Sequence, residues 1–263
     1  MDAELLLAAV LAVPRARLLT LDDVPDDAAA RFTELLEQRA ARVPLQHLTG
    51  TAPFRFVELA VGPGVFVPRP ETELIAGWVV DRIAGLTAPT VVDLGAGSGA
   101  IALAVAQEHP GARVVAVERD AGAVGWTRHN AAARAAAGDT PVEVLSGDMT
   151  DPGLLTDLEG AVDVVVSNPP YVPDGARLPR EVADHDPPLA LWGGPDGLDV
   201  VRGLLVTAAR LLRPGGWLGI EHADQQGTAL PALVRAHGSF TGVADHLDLA
   251  GRPRYTTARL GGG

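Results

Sequence analysis

The densest chemical information in the chain lies in Ser167-Asn168-Pro169-Pro170-Tyr171. These residues follow an apolar run at 162–166 that reads as a buried strand. Two successive prolines cannot continue a β ladder, so the chain must leave the sheet there in a rigid, extended shape. Pro169 also holds Asn168 in extended backbone. The Asn168 side-chain carbonyl and the Pro169 backbone carbonyl then become fixed acceptors, suited to the two hydrogens of an NH2 group on a planar carrier. Tyr171 offers a ring face for that carrier to stack on. An amide or exocyclic amine is a weak nucleophile because its lone pair is delocalised. Two acceptors on its hydrogens return charge to nitrogen and fix its direction of attack. Alignment within about 3–3.5 Å of an electrophilic carbon can supply several kcal/mol of the barrier. No strong general base or metal is required if the donor carries its own leaving group. The bland alternative is an ordinary Asn-Pro turn at a strand end.

A second motif supplies a place for the donor. Asp93-Leu94-Gly95-Ala96-Gly97-Ser98-Gly99 runs from a strand directly into a helix. Its glycines let the backbone turn tightly and approach a ligand where a Cβ would intrude. Glu118 closes the next strand, where a carboxylate can accept hydrogen bonds from both ribose hydroxyls. This pair identifies an adenosine site better than it identifies the cofactor: a methyl donor, a nicotinamide dinucleotide and a structural tight turn all satisfy it. Asp93 favours the methyl donor, since it suits an ammonium group and would repel a pyrophosphate. Asp148-Met149, after the third strand, could accept from an adenine amino group and cover the ring. Asp148 could equally cap a helix.

Composition removes many other chemistries. There are no cysteines, so disulfides, thiolate catalysis and thiolate metal sites are excluded. Every basic residue is arginine, which excludes Schiff-base lysines and a P-loop lysine. The seven histidines fall into no metal-ligand spacing. His222, at a strand end, is read either as lining the crevice or as ordinary packing. Acids outnumber bases 33 to 21, a net charge of −12 that disfavours nucleic acid unless the arginines cluster. The first residues read as an amphipathic helix and not a secretory signal. No apolar stretch reaches the roughly 18 residues that span a bilayer. A cytoplasmic protein without metal is expected.

The elements that must position these motifs follow from periodicity. Residues 1 to about 50 read as short helices punctuated by Pro14, Pro25 and Pro44, with stripes at Leu5, Leu6, Ala9 and Val10, then at Phe32, Leu35, Leu36 and Arg39. Residues 54–67 alternate like a β-hairpin around Gly62-Pro63-Gly64, and helical spacing resumes at Glu71. After Pro89 the rhythm is strand, turn, helix, repeated, which predicts an α/β fold: a parallel sheet with helices on both faces. Ligands are expected at the carboxyl ends of the strands, where strand order reverses.

At this point the chain closely resembles the glutamine N5-methyltransferases that act on peptide chain release factors. The resemblance covers nearly the whole length. Besides the two motifs above it includes Pro44-Leu45-Gln46-His47-Leu48-Thr49-Gly50, Val67-Pro68-Arg69-Pro70-Glu71-Thr72-Glu73 and Leu212-Arg213-Pro214-Gly215-Gly216. The glycine loop and Asn-Pro-Pro-Tyr are common to many amino-group methyltransferases; the 44–50 and 67–73 segments are more specific.

The resemblance implies a Rossmann-like, seven-stranded class I methyltransferase sheet over 71–263, a small helical substrate-docking domain at 1–52 and a β-hairpin linker at 53–70. It implies S-adenosylmethionine as cofactor, bound by Gly95 to Gly99, Glu118, Met149 and Asn168, and substrate at Asn168, Pro169, Pro170 and Tyr171. Many relatives carry an aromatic residue where this chain has Met149; a thioether can still cover adenine. The implied acceptor is the glutamine of a Gly-Gly-Gln tripeptide in class 1 release factors. With the acidic charge and the lack of a long apolar stretch, a monomer without direct nucleic-acid or membrane binding is expected. Pro68-Arg69-Pro70 and Glu71 are expected near the cleft or as a rigid turn. The competing readings are methylation of a ribosomal-protein glutamine, of adenine or guanine amines in nucleic acid, and a regulatory nucleotide-binding module.

Overall fold

A computed structural model describes residues 1–262. Three helices come first: α1 (Asp2–Val10), α2 (Asp26–Ala40) and α3 (Leu45–Thr49). In α2 the expected stripe faces inward, with Leu35 buried and Phe32, Leu36 and Arg39 half-buried. In α1 the inward residues are Leu6 and Ala8, and Ala9 is exposed. That helix is apolar on nearly every side, so its sequence period was ambiguous.

A hairpin follows, with β1 (Thr51–Phe54) paired antiparallel to β2 (Val57–Ala60). Its turn is at Arg55 and Phe56, with Arg55 at φ 50°, and not at Gly62-Pro63-Gly64 as the sequence suggested. Gly and Pro are strong turn markers, but these glycines serve other ends. A Cβ on Gly62 would sit 2.8 Å from the Trp126 ring, and Gly64 takes φ +88° beyond the hairpin.

The remaining chain alternates: α4 (Thr72–Ile83), β3 (Thr90–Leu94), α5 (Ala100–Glu108), β4 (Arg113–Glu118), α6 (Ala121–Ala136), β5 (Glu143–Ser146) and β6 (Val162–Ser167). Then come α7 (Arg180–His185), α8 (Asp199–Leu211), β7 (Leu212–Glu221), α9 (Ala229–Ala236), β8 (Phe240–Leu247) and β9 (Pro253–Leu260). The last seven strands form one sheet in the order β5-β4-β3-β6-β7-β9-β8. Pairings among β3, β4, β5, β6 and β7 are parallel, and those of β9 with β7 and β8 are antiparallel. Gly263, which closes the expected 71–263 unit, lies outside the described residues.

The central strands are apolar throughout because both faces are covered. Val91, Val114, Ala116, Val164 and Val166 point into a core completed by α4, α5 and the hairpin. Their neighbours Val92, Val115, Val117 and Val165 point the other way, into a core completed by α8 and α9. The antiparallel pair β8–β9 escaped the sequence reading. Most of β8 is exposed or half-buried, so its alternation is weak. Among the described residues, no helix is long and apolar enough to cross a membrane.

Candidate active site

Strand order reverses between β3 and β6, and there the chain leaves a cavity of about 330 Å³ at the carboxyl ends of β3, β4 and β6. Each wall comes from the residues that follow a strand.

After β3 the glycine loop turns towards β4: Gly95 and Ala96 both donate backbone N–H to the Val117 carbonyl, at 2.8 and 3.0 Å. Gly95, Gly97 and Gly99 take φ values of +82°, +59° and +86°. A Cβ on Gly95 would meet the Met149 methyl at 2.7 Å, so this glycine is what allows Met149 to cross the floor. Gly99 does not line the cavity; its missing Cβ makes room for Leu103 and Thr127. Two side chains from α6 hold the loop from behind. Thr127 donates to the Gly97 carbonyl at 2.6 Å. Buried Asn130 donates to the carbonyls of Ser98 and Ala60 and accepts from Ala60 N–H, fastening the loop to the hairpin.

Acids surround this loop. Asp93 is 1% exposed; its Oδ2 accepts from Ala102 N–H at 3.1 Å while Oδ1 has no partner. Burial pushes its carboxyl up to about 7, against the Ala102 hydrogen bond and with help from the charge of Glu118. A buried acceptor without a donor suits an ammonium group, whose arrival would restore the ionised form. Glu118 Oε2 accepts from Gly97 N–H at 2.9 Å and Oε1 from Arg119 and Asp120 N–H. Asp148 caps no helix. Its Oδ1 accepts from the backbone and hydroxyl of Thr150, and its Oδ2 pairs with Arg119 at 3.1 Å.

After β6 the tetrapeptide forms the opposite wall. Asn168, Pro170 and Tyr171 line the cavity, whereas Pro169 is buried behind it. Ser167 donates to the Leu94 carbonyl and closes the β3–β6 seam just below. Asn168 Nδ2 donates to Thr72 Oγ1 at 3.2 Å. Gln226 Nε2 donates to the carbonyls of Tyr171 and Asp196, at 3.1 and 3.2 Å, and so fixes the exit from the motif. Burial raises the Tyr171 hydroxyl above its usual range, so it stays protonated.

The chain beyond Tyr171 folds back as a cover. Val172 N–H donates to the Leu191 carbonyl at 2.8 Å and Gly193 N–H to Val172 at 2.9 Å. Leu178, Val182, Leu189 and Leu191 therefore face Phe66 and Pro68 across the acceptor end of the cavity. Arg69 stacks on Phe66 at 4.7 Å and pairs with Asp186 at 2.9 Å. Arg39 of α2 reaches the same cover, bonding Glu181 at 2.7 Å as well as Asp2 at 2.8 Å.

The sequence reading missed the cover residues, Thr72, Gln226 and Glu221. Their only available signal was a polar residue at the end of an apolar strand or the start of a helix. His222 is fully buried between the Ala223 carbonyl and Asp245 and does not line the cavity.

Residues 60–184 match the family described as methyltransferase small domain, and residues 1–50 match the PrmC N-terminal domain. Among solved structures, a T. thermophilus 16S rRNA N2 G1207 methyltransferase superposes with TM-score 0.56 at 24% identity, over 80% of this chain and 49% of that one. A methyltransferase from Pyrococcus furiosus does so with TM-score 0.54 at 18% identity, over 89% and 100%. At such identities these likenesses establish the methyltransferase fold alone. The 4-amino-L-phenylalanine/4-methylamino-L-phenylalanine methyltransferase of Streptomyces pristinaespiralis is 43% identical, over 80% of this chain and 72% of its own length. Release factor glutamine methyltransferases are similar over more of the chain. That of Mycolicibacterium smegmatis is 51% identical over 98% of this chain and 89% of its own, and that of Streptomyces coelicolor 49% over 98% and 90%. With the helical first 50 residues, the glycine loop and the Asn-Pro-Pro-Tyr wall all within that span, the chain belongs to the release factor glutamine methyltransferase family.

Proposed function

We propose that this enzyme transfers the methyl group of S-adenosylmethionine to the side-chain amide nitrogen (N5) of the glutamine in the Gly-Gly-Gln motif of class 1 release factors. The observation that carries this reading is the single cavity joining an unpartnered buried carboxylate oxygen, on Asp93, to the Asn168–Pro170–Tyr171 wall.

The residues present fit the cofactor. Asp93 Oδ1 would take the ammonium group, the 95–98 backbone would lie along the methionine and ribose, and Glu118 would take the ribose hydroxyls. Met149 and Asp148 would hold the adenine. When bound, S-adenosylmethionine supplies an electrophilic methyl group on a positively charged sulfur. The chain's own work is then to present the nucleophile. Asn168 Oδ1 accepts an amide hydrogen, Pro169 backs the wall that carries it, and the Tyr171 ring bounds the carrier plane. One amide hydrogen is lost as a proton to water at the cavity mouth when the nitrogen takes the methyl group from sulfur. The apolar cover limits water around the amide, which strengthens the hydrogen bond to Asn168. Residues 1–52 carry none of this chemistry and would dock the protein substrate.

Incubation with recombinant release factor and labelled S-adenosylmethionine tests the proposal. Label should appear on the Gly-Gly-Gln peptide. Label confined to a ribosomal protein, a nucleic acid or added 4-amino-L-phenylalanine would overturn it.

A further inference from the structure

One buried acid at the acceptor end has no part in the account above. Glu221 is the last residue of β7 and is 1% exposed. Ser167 pairs with Ile220 in the parallel β6–β7 ladder, so the residues one step on, Asn168 and Glu221, lie side by side, Glu221 still paired with Tyr255 of β9. Thr72, the first residue of α4 and 4% exposed, lies against both. Asn168 Nδ2 donates to Thr72 Oγ1 at 3.2 Å, and the side chains of Thr72 and Asn168 both lie beside the Glu221 carboxylate and favour its ionised form. Its buried Oε2 has no hydrogen-bond partner.

We propose that Glu221, with Thr72, is a positioning residue that decides which end of the Asn168 amide faces the substrate. A primary amide has two ends of nearly equal size, one donating and one accepting. An ionised carboxylate only accepts. A threonine hydroxyl that gives its hydrogen to that carboxylate has only lone pairs left for a neighbour. The Asn168 NH2 is therefore drawn to the Glu221–Thr72 side, and Oδ1 is left for the cavity. Were the amide reversed, an NH2 would confront the NH2 of the acceptor and the site would repel its substrate.

The charged and titratable groups around Glu221 are Arg254, Glu71 and the Tyr171 hydroxyl. Burial raises the Glu221 carboxyl to about 7, opposed by the neighbouring Thr72 hydroxyl and the Arg254 charge, with Glu71 adding to the rise. Tyr171 stays neutral.

This inference rests on the reading of Asn168 as the group that faces the acceptor nitrogen, and the variants separate the two. The full-length enzyme is assayed with release factor as Glu221→Gln, Thr72→Val, Thr72→Ser and Asn168→Ala, with donor affinity measured by calorimetry. Gln keeps the shape of Glu but offers either end of an amide. Glu221→Gln should lower kcat about 10²-fold, the scale of a small misplacement at the reacting centre. Thr72→Val should lower kcat about tenfold while donor affinity stays within about twofold, and Thr72→Ser should recover most of that loss. With donor saturating, wild-type kcat should fall as pH drops through about 7, and Glu221→Gln should lack that limb.

Wild-type kcat in Glu221→Gln and Thr72→Val beside an impaired Asn168→Ala would overturn this inference alone. Equal losses of kcat and donor affinity, or a Thr72→Ser no better than Thr72→Val, would replace it with a merely structural role. Full turnover in Asn168→Ala would overturn the functional reading beneath it. If Glu221→Gln does not fold, the two Thr72 variants decide.

Discussion

The two ends of the cavity are built by different means. The proposed donor end is backbone and acid: the positive-φ Gly95 and Gly97, Asp93 and Glu118, each within three residues of the end of β3 or β4. The acceptor end is gathered from five distant stretches: Phe66 to Thr72, the 168–171 motif, the 178–191 cover, Glu221 and Gln226. A donor shared by many enzymes can be met by short-range geometry. A particular acceptor needs a shape that only tertiary packing supplies.

Asn168→Ala tests that division most severely. Removing a preorganised acceptor should lower turnover about 10²–10³-fold with little change in donor affinity. Comparable losses in both would dissolve the distinction between the two ends. Asp93→Asn should do the reverse, weakening the donor about 10–100-fold by calorimetry and kcat at saturating donor much less. In the wild type, donor affinity should rise with pH through about 7, as Asp93 ionises. The same group sets a stability signature in the absence of donor. Its folded pKa lies above its unfolded one, so its contribution is full below about 4 and is lost as pH rises through about 7. Thermal melts of Asp93→Asn should lack that part of the slope.

The third test strikes the donor end from behind. Asn130→Ala leaves the Ala60 N–H and the Ser98 carbonyl without their partner and should cost about 2 kcal/mol of stability. A melt unchanged from wild type would mean that the loop does not depend on this clasp. The mildest effect belongs to the cover. Arg69→Ala strips the partner from Asp186, whose side chain is 1% exposed and whose carboxyl burial already raises to about 6. KM for the protein substrate should rise about tenfold and donor affinity should hold. A change confined to donor affinity would place Arg69 at the wrong end.

The same contrast explains what the sequence disclosed. Asp93, Glu118 and the glycines were legible because each sits at a fixed offset from an apolar strand, and strand ends in a parallel sheet converge. Asn168 was legible for the same reason, with the prolines announcing the exit from the sheet. Thr72 and Glu221 were not, since a threonine at a helix start and a glutamate at a strand end are ordinary until β7 is laid beside β6. The hairpin was correctly expected and its turn misplaced, because Gly62 answers to the Trp126 ring and not to its own backbone. Apart from the short α7, the 178–191 cover has no regular period; its order comes from contacts such as Val172 with Leu191.

Pro169 and Pro170 have one more consequence. The ladder between β3 and β6 stops at Asp93 opposite Val166; beyond it Gly95 turns its N–H to β4, Ser167 stays with β7, and Pro169 and Pro170, three and four residues past Val166, have no N–H with which to resume the seam. The crevice is thus held apart by a deficit in covalent structure, a seam that cannot be sewn further, and not by props wedged into it. Cover and clasp can each shift without the gap healing.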